Sequence, residues 1–235
     1  MDRPDTTKTN SRPTVILFDV YGTLLDMGEV RSRINRLLGS KRAFGLWFHT
    51  LLQYSWMDNS TGQYHDFALL ADTAMETIAK KLGEQLDASD REIVLRLMRQ
   101  LPVHEDVQMG LSSLRDQGYR LATLTNESIA TITERMELTG LISYFEGLLS
   151  TETVKRHKPA TETYQWAVQS LGVPASEVLM VSMHGWDVAG ALYAGMPAAL
   201  ILRYSQSPYP LAPQPTYMAS NLVTLAEALD NAQVI

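Results

Sequence analysis

The stretch Thr14-Val-Ile-Leu-Phe-Asp19-Val-Tyr-Gly-Thr-Leu24 decides the fold. Its first half is apolar and rich in β-branched residues, the composition of a short buried strand, and Tyr21-Gly22-Thr23 reads as a turn. The strand therefore ends on Asp19. A buried strand has no packing reason to finish on a carboxylate, and Gly22 lets the turn adopt unusual dihedrals while adding no side chain. Asp19 is thus presented where another molecule can approach it closely.

Beyond this strand the texture changes. From about Glu29 to Gln100, apolar residues recur at three- and four-residue spacing through Val30 to Leu38, Ala43 to Trp56, Phe67 to Leu82 and Ile93 to Leu101, which predicts a block of helices uninterrupted by strand. Leu101-Pro102-Val103 reads as a return linker. Strands over Tyr119 to Thr125, Gly147 to Ser150, Glu177 to Ser182 and Met196 to Leu202 then alternate with helices near Val107 to Gln117, Ser128 to Leu138, Thr161 to Leu171 and Trp186 to Ala194. Such alternation predicts an α/β fold: a Rossmann-like, doubly wound parallel sheet with helices on both faces and ligands outside the carboxyl ends of the strands. Those ends carry Asp19, Thr125 and Ser182. Residues 14–27 and 102–235 are expected to form this core, residues 28–101 a helical insertion above it, and residues 1–13 a disordered leader.

Composition narrows the function classes. At 235 residues, 45% hydrophobic and 20% charged, the chain can bury one core and a small accessory domain. A formal charge of -6, with no stripe of Lys and Arg, argues against nucleic acid as partner. The absence of cysteine excludes disulfides and thiolate metal sites and suits a cytoplasmic protein. Met1 to Pro13 contains no apolar core of a signal peptide, and no run of about 20 apolar residues is present to span a bilayer. A small-molecule substrate fits best.

Several polar residues admit both a chemical reading and an ordinary structural one. Asp19 is a candidate nucleophile or a turn residue, and Thr23 a hydrogen-bond donor to it or a turn cap. Thr125 and Asn126 offer donors to an anion, or simple turn chemistry. Lys158 stands before Pro159, where it is read as opening a helix. A buried ammonium there would offset converging carboxylates; the alternative is a solvated surface lysine.

Taken together, Asp19-Val-Tyr-Gly-Thr-Leu, Thr125-Asn126, Lys158-Pro159 and Ser182-Met-His-Gly-Trp-Asp187 match in order and approximate spacing the four signatures of the haloacid dehalogenase superfamily. The chain resembles most closely the type II L-2-haloacid dehalogenases, from Thr14 onward and including Leu46-Trp47 and Tyr54-Ser55-Trp56 of the insertion. The resemblance implies a hydrolase that works without metal or other cofactor beneath a helical cap, on a small halogenated carboxylate, as a homodimer. It assigns Asp19, Thr23, Lys158, Ser182 and Asp187 to catalysis. Tyr21, Phe48, Thr125, Asn126, Tyr164, His184 and Trp186 fall to the substrate pocket; on their own, Tyr164 reads more often as packing and Trp186 equally so. Asp19 would displace halide to form an ester, which water cleaves with the help of Ser182, His184 and Asp187.

Phosphatases of the superfamily carry a second Asp two residues after the nucleophile, where this chain has Tyr21. They hold Mg²⁺ with a carboxylate where it has Ser182, and a hydroxyl is a poor replacement. A halide leaving group needs no general acid, whereas an alkoxide does, at a cost of about 10²–10⁴ in rate without it. Two positions depart from the dehalogenases instead: Phe48 stands in place of a cap arginine and His184 in place of an Asn. The alternatives retained are therefore a phosphatase of the same superfamily and a weakly active or non-catalytic small-anion binder.

Overall fold

The computed structural model describes residues 12–204 and 206–231. The disordered leader expected over residues 1–13 falls mainly outside them. Arg12 is anchored, its guanidinium 4.5 Å from the centre of the Tyr119 ring and bonded to the Gln117 carbonyl.

Six strands form one parallel sheet: β1 (Val15–Phe18), β2 (Arg120–Thr125), β3 (Gly147–Ser150), β4 (Val178–Ser182), β5 (Ala198–Ile201) and β6 (Tyr217–Ala219), in the order β3-β2-β1-β4-β5-β6. β1 is central and buried on both faces, which is why its sequence is a continuous apolar run and does not alternate. Ile16 and Phe18 face one cluster with Val107, Leu111, Ile132 and Leu222, whereas Val15 and Leu17 face another with Tyr164, Ala167 and Val188. This is the period-two division of a strand between two helical layers. The first layer is built from α5 (Val107–Asp116), α6 (Ile129–Leu138) and α9 (Leu222–Asn231), and the second from α7 (Thr161–Leu171) and α8 (Gly185–Tyr193).

Between β1 and β2 run α1 (Gly28–Leu37), α2 (Ala43–Thr61), α3 (Phe67–Leu82) and α4 (Ala88–Arg99), with no strand among the described residues of this stretch. Left-handed Gly62 and Gly83 end α2 and α3, and the Asp66 side chain caps α3 by accepting from the Ala68 amide. Trp47 is fully buried between α2 and α3, and its indole N–H donates to the Ala71 carbonyl. The chain leaves and re-enters the core at one place: Leu25 bridges Val103, and the Asp26 amide donates to the Pro102 carbonyl at 2.8 Å.

Three features differ from the sequence expectation. Lys158 does not open a helix. Pro159 disfavours helical dihedrals in the residue before it, Ala160 is extended, and α7 begins at Thr161. The sheet also gains β6, and the core gains α9. The three-residue β6 follows a stretch containing Pro208, Pro210, Pro213 and Pro215 and is too short to show a period in the sequence.

Candidate active site

Asp19 follows β1 directly, and its amide continues the ladder by donating to the Val181 carbonyl. The next residues fold back so that the Gly22 and Leu24 amides donate to the Leu25 and Val20 carbonyls. Gly22 sits at φ +79, and a β-carbon there would lie 2.4 Å from the Met183 sulfur. Glycine thus meets both the left-handed turn and the close passage of the β4–α8 loop.

Both Asp19 oxygens are occupied. Thr23 Oγ1 donates to Oδ2 at 2.7 Å and Lys158 Nζ donates to Oδ1 at 2.7 Å. The same ammonium donates to Asp187 Oδ2 at 2.8 Å and to the Leu124 carbonyl at 3.0 Å, so its three protons have three acceptors. Lys158 is 1% exposed and Asp187 fully buried, so the solvated-lysine reading of Lys158 is removed. Burial would raise the Asp19 carboxyl. The charges of Lys158 and His184, with hydrogen bonds from Lys158 and Thr23, outweigh it and hold the group below its ordinary 3.8. For Lys158, burial works to lower the ammonium, but Asp187 and Asp19 together raise it. Lys158 thus bridges the Asp19 and Asp187 side chains.

Tyr164 projects from α7 and donates to Asp187 Oδ1 at 2.6 Å. Burial, then the Asp187 charge, pushes its phenol well up, so it remains a donor. It fits only because Gly190 faces it, where a β-carbon would lie 2.6 Å from the hydroxyl oxygen. Asp187 itself lies in the first turn of α8, where the helix dipole favours negative charge. Ser182 is fully buried, and its Oγ accepts the His184 amide at 3.1 Å.

His184 Nε2 lies 3.0 Å from the Tyr21 carbonyl, which can only accept, so Nε2 carries a proton. The same nitrogen is 3.7 Å from Asp19 Oδ2. The imidazole is sandwiched between Phe48 and Trp186, with centroid distances of 5.4 and 5.3 Å. These three, with Tyr21 and Gly22, line a cleft of about 110 Å³ between the helical block and the strand ends.

Thr125 and Asn126 are buried beside the cluster: Thr125 Oγ1 accepts the Glu127 amide and Asn126 Oδ1 accepts the Lys158 amide at 2.8 Å. In this structure they shape the loop that carries Lys158. That loop is also gripped from α2: Asn59 donates to the His157 carbonyl at 2.8 Å and accepts its amide at 2.9 Å.

Sequence reading missed Arg31. It is the one Arg or Lys among the described residues lining the cleft, its guanidinium 4.9 Å from the centre of the Phe44 ring and 4.8 Å from that of Tyr204. Its Nε is buried without a hydrogen-bond partner. A helical surface arginine carries no signal in sequence; only the fold turns it into the cleft. Among the described residues no group of three or more His, Asp or Glu side chains is arranged to hold a metal ion.

The chain is similar to known proteins over most of its length. Residues 13–195 match the family model of haloacid dehalogenase-like hydrolases. The (S)-2-haloacid dehalogenase of Pseudomonas sp. (strain YL) is 30% identical over 219 residues, covering 92% of this chain and 94% of that protein. The crystal structure of an L-2-haloacid dehalogenase superposes with a TM-score of 0.88 at 25% identity, over 94% of this chain and all of the other. A dehalogenase solved as an intermediate complex gives 0.84 at 27% identity, over 93% and 97% of the two chains.

Proposed function

Because the chain belongs to the haloacid dehalogenase-like hydrolases, we propose that it hydrolyses the carbon–halogen bond of small 2-haloacids, with Asp19 as nucleophile. The observation that carries this reading is the Lys158 ammonium bonded to both Asp19 and Asp187. It keeps Asp19 ionised although buried, and an ionised carboxylate is what an in-line displacement needs.

In the first step an Asp19 oxygen forms a bond to C2 of the substrate as the halide departs with the carbon–halogen electron pair. Buried Thr23 and Lys158 hold the carboxylate in place. In the second step water adds to the Asp19 carboxyl carbon and Asp187 takes its proton. The acyl–oxygen bond then breaks, that proton passes to the departing alkoxide, and the 2-hydroxy acid leaves; the second water proton is lost from the Asp19 carboxyl to solvent, which regenerates the carboxylate. Lys158, beside both carboxylates, stabilises the oxyanion formed on the ester. Ser182 and His184 set the loop that faces this water, and Tyr164 fixes Asp187.

Arg31 is the cation in the cleft available to the substrate carboxylate, where Phe48 offers only an apolar face. Tyr21, Phe48 and Trp186 enclose the acyl chain. Tyr21 and Ser182, in place of carboxylates, favour halide over phosphate ester as the leaving chemistry, and the reaction proceeds without a metal. Residues 28–101 act as cap and residues 14–27 and 102–235 as core. Exposed Leu46 and Met57 on the cap support a homodimer. No helix among the described residues is long and apolar enough to cross a membrane. The cysteine-free sequence favours a cytoplasmic location.

The test is halide release from a panel of 2-haloacids in the presence of chelator, beside phosphate release from an aryl phosphate with Mg²⁺. Halide release supports the reading. Phosphate release alone selects the phosphatase, and neither product selects the anion binder.

A further inference from the structure

A second cavity of about 410 Å³ lies on the far side of Tyr21 from the catalytic cleft, with Tyr21 as the shared wall. Leu69 and Met75 of α3 and Val94 and Met98 of α4 supply its apolar side. Its polar end is Arg135 of α6, 2% exposed, with Nε and Nη1 buried and without hydrogen-bond partners. The Glu127 charge acts on Arg135 and the Tyr21 hydroxyl lies within its reach, yet these two donors stay unbonded.

A buried guanidinium with idle donors is costly, and such groups persist where something pairs them. We propose that this cavity is a ligand site for a monocarboxylate with an apolar body, whose carboxylate meets Arg135 and whose chain lies between α3 and α4. The cavity falls in the volume range of small-molecule sites, with an apolar wall from α3 and α4 facing a polar side around Arg135. Asp72, Glu127 and Glu134 also border it, beside Arg99 and an Arg91 already paired with Asp72 and Glu76, so its charges nearly balance and a monoanion is favoured over a dianion such as phosphate. The site is independent of the dehalogenase reading, since none of its residues except Tyr21 touches the catalytic cleft.

Octanoate is the probe, titrated calorimetrically into the full chain and into two variants, with octanol as the neutral control. Arg135→Met removes the charge. Leu95→Trp fills the cavity from its rim, where Leu95 is 37% exposed and a larger side chain is accommodated. The account predicts one octanoate per chain, affinity at least tenfold lower in Arg135→Met, and loss of binding in Leu95→Trp. Octanol should bind more weakly than octanoate to the wild type. No octanoate binding to the wild type overturns the proposal. So does binding unchanged in both variants, which would put octanoate in the catalytic cleft or on the surface. Should Arg135→Met fail to fold, Leu95→Trp and the octanol comparison decide.

Discussion

The Phe48 ring lies on the His184 imidazole, centroids 5.4 Å apart and planes inclined by 25°. Phe48 is half-buried and borders the cleft, so an arginine there could lay its planar guanidinium on the same imidazole and still reach substrate. Phe48→Arg is expected to raise kcat/KM on 2-chloropropionate severalfold while lowering Tm by no more than a few degrees. Kinetics and thermal melting of the same variant check it. Unchanged kinetics in a folded variant would remove Phe48 from the substrate pocket.

Arg31 is expected to act on binding more than on chemistry. A charge-assisted hydrogen bond is worth about 1.5–3 kcal/mol, so Arg31→Met should raise KM for 2-haloacids by about ten- to a hundredfold, with kcat changed less than about threefold. Arg31→Lys should recover part of the loss. A fall in kcat at constant KM would show that the carboxylate is held elsewhere.

Lys158 controls the protonation of the nucleophile. In the wild type Asp19 lies below 3.8, so its contribution to stability is present above that pH and lost as pH falls through the folded value. The contribution of Lys158, whose pKa is raised above 10.5, is present below that pH and lost as pH rises through its folded value. Lys158→Met leaves burial as the dominant influence on Asp19. The acid limb of kcat/KM should move to higher pH by a unit or more, with the plateau rate down at least a hundredfold. An acid limb that stays in place would mean that another group limits the rate there.

Glu127 behaves in the opposite sense. Burial, and then Asp66, pushes its carboxyl up to about 7 from 4.5. Between those values the folded chain binds more protons than the unfolded one, so stability falls as pH rises through this window. Glu127→Gln should remove that slope, stabilising the protein at pH 8 by roughly 1–3 kcal/mol and by much less at pH 5. Urea denaturation at the two pH values measures it, and an equal effect at both would point to packing instead of charge.

The parts of the fold legible in sequence were those with a clear period. β1 and β4 are unbroken apolar runs ending on Asp19 and Ser182, and the four helices after β1 show repeating apolar spacing. β6 was illegible because three residues cannot display a period; α7 was placed at Thr161 to Leu171 as observed, and only the reading of Lys158 as opening it failed, because Pro159 was taken as a first helical residue. In the site, residues inside motifs came together: Asp19, Thr23, Lys158 and Asp187 are all in direct contact with a neighbour in the cluster. Residues whose role depends on tertiary approach stayed hidden. Arg31 reaches the cleft only through the packing of α1, and Asn59 grips His157 across 98 residues of chain.

The central claim is that Asp19 forms an ester that water cleaves at its carboxyl carbon. A single turnover of a 2-haloacid in ¹⁸O-labelled water, with enzyme in excess, tests it most directly. The account predicts label in the Asp19 side chain, located by mass spectrometry of the peptide containing it, and unlabelled 2-hydroxy acid. Label in the 2-hydroxy acid and none in Asp19 would show that water attacks the substrate directly and would contradict the account.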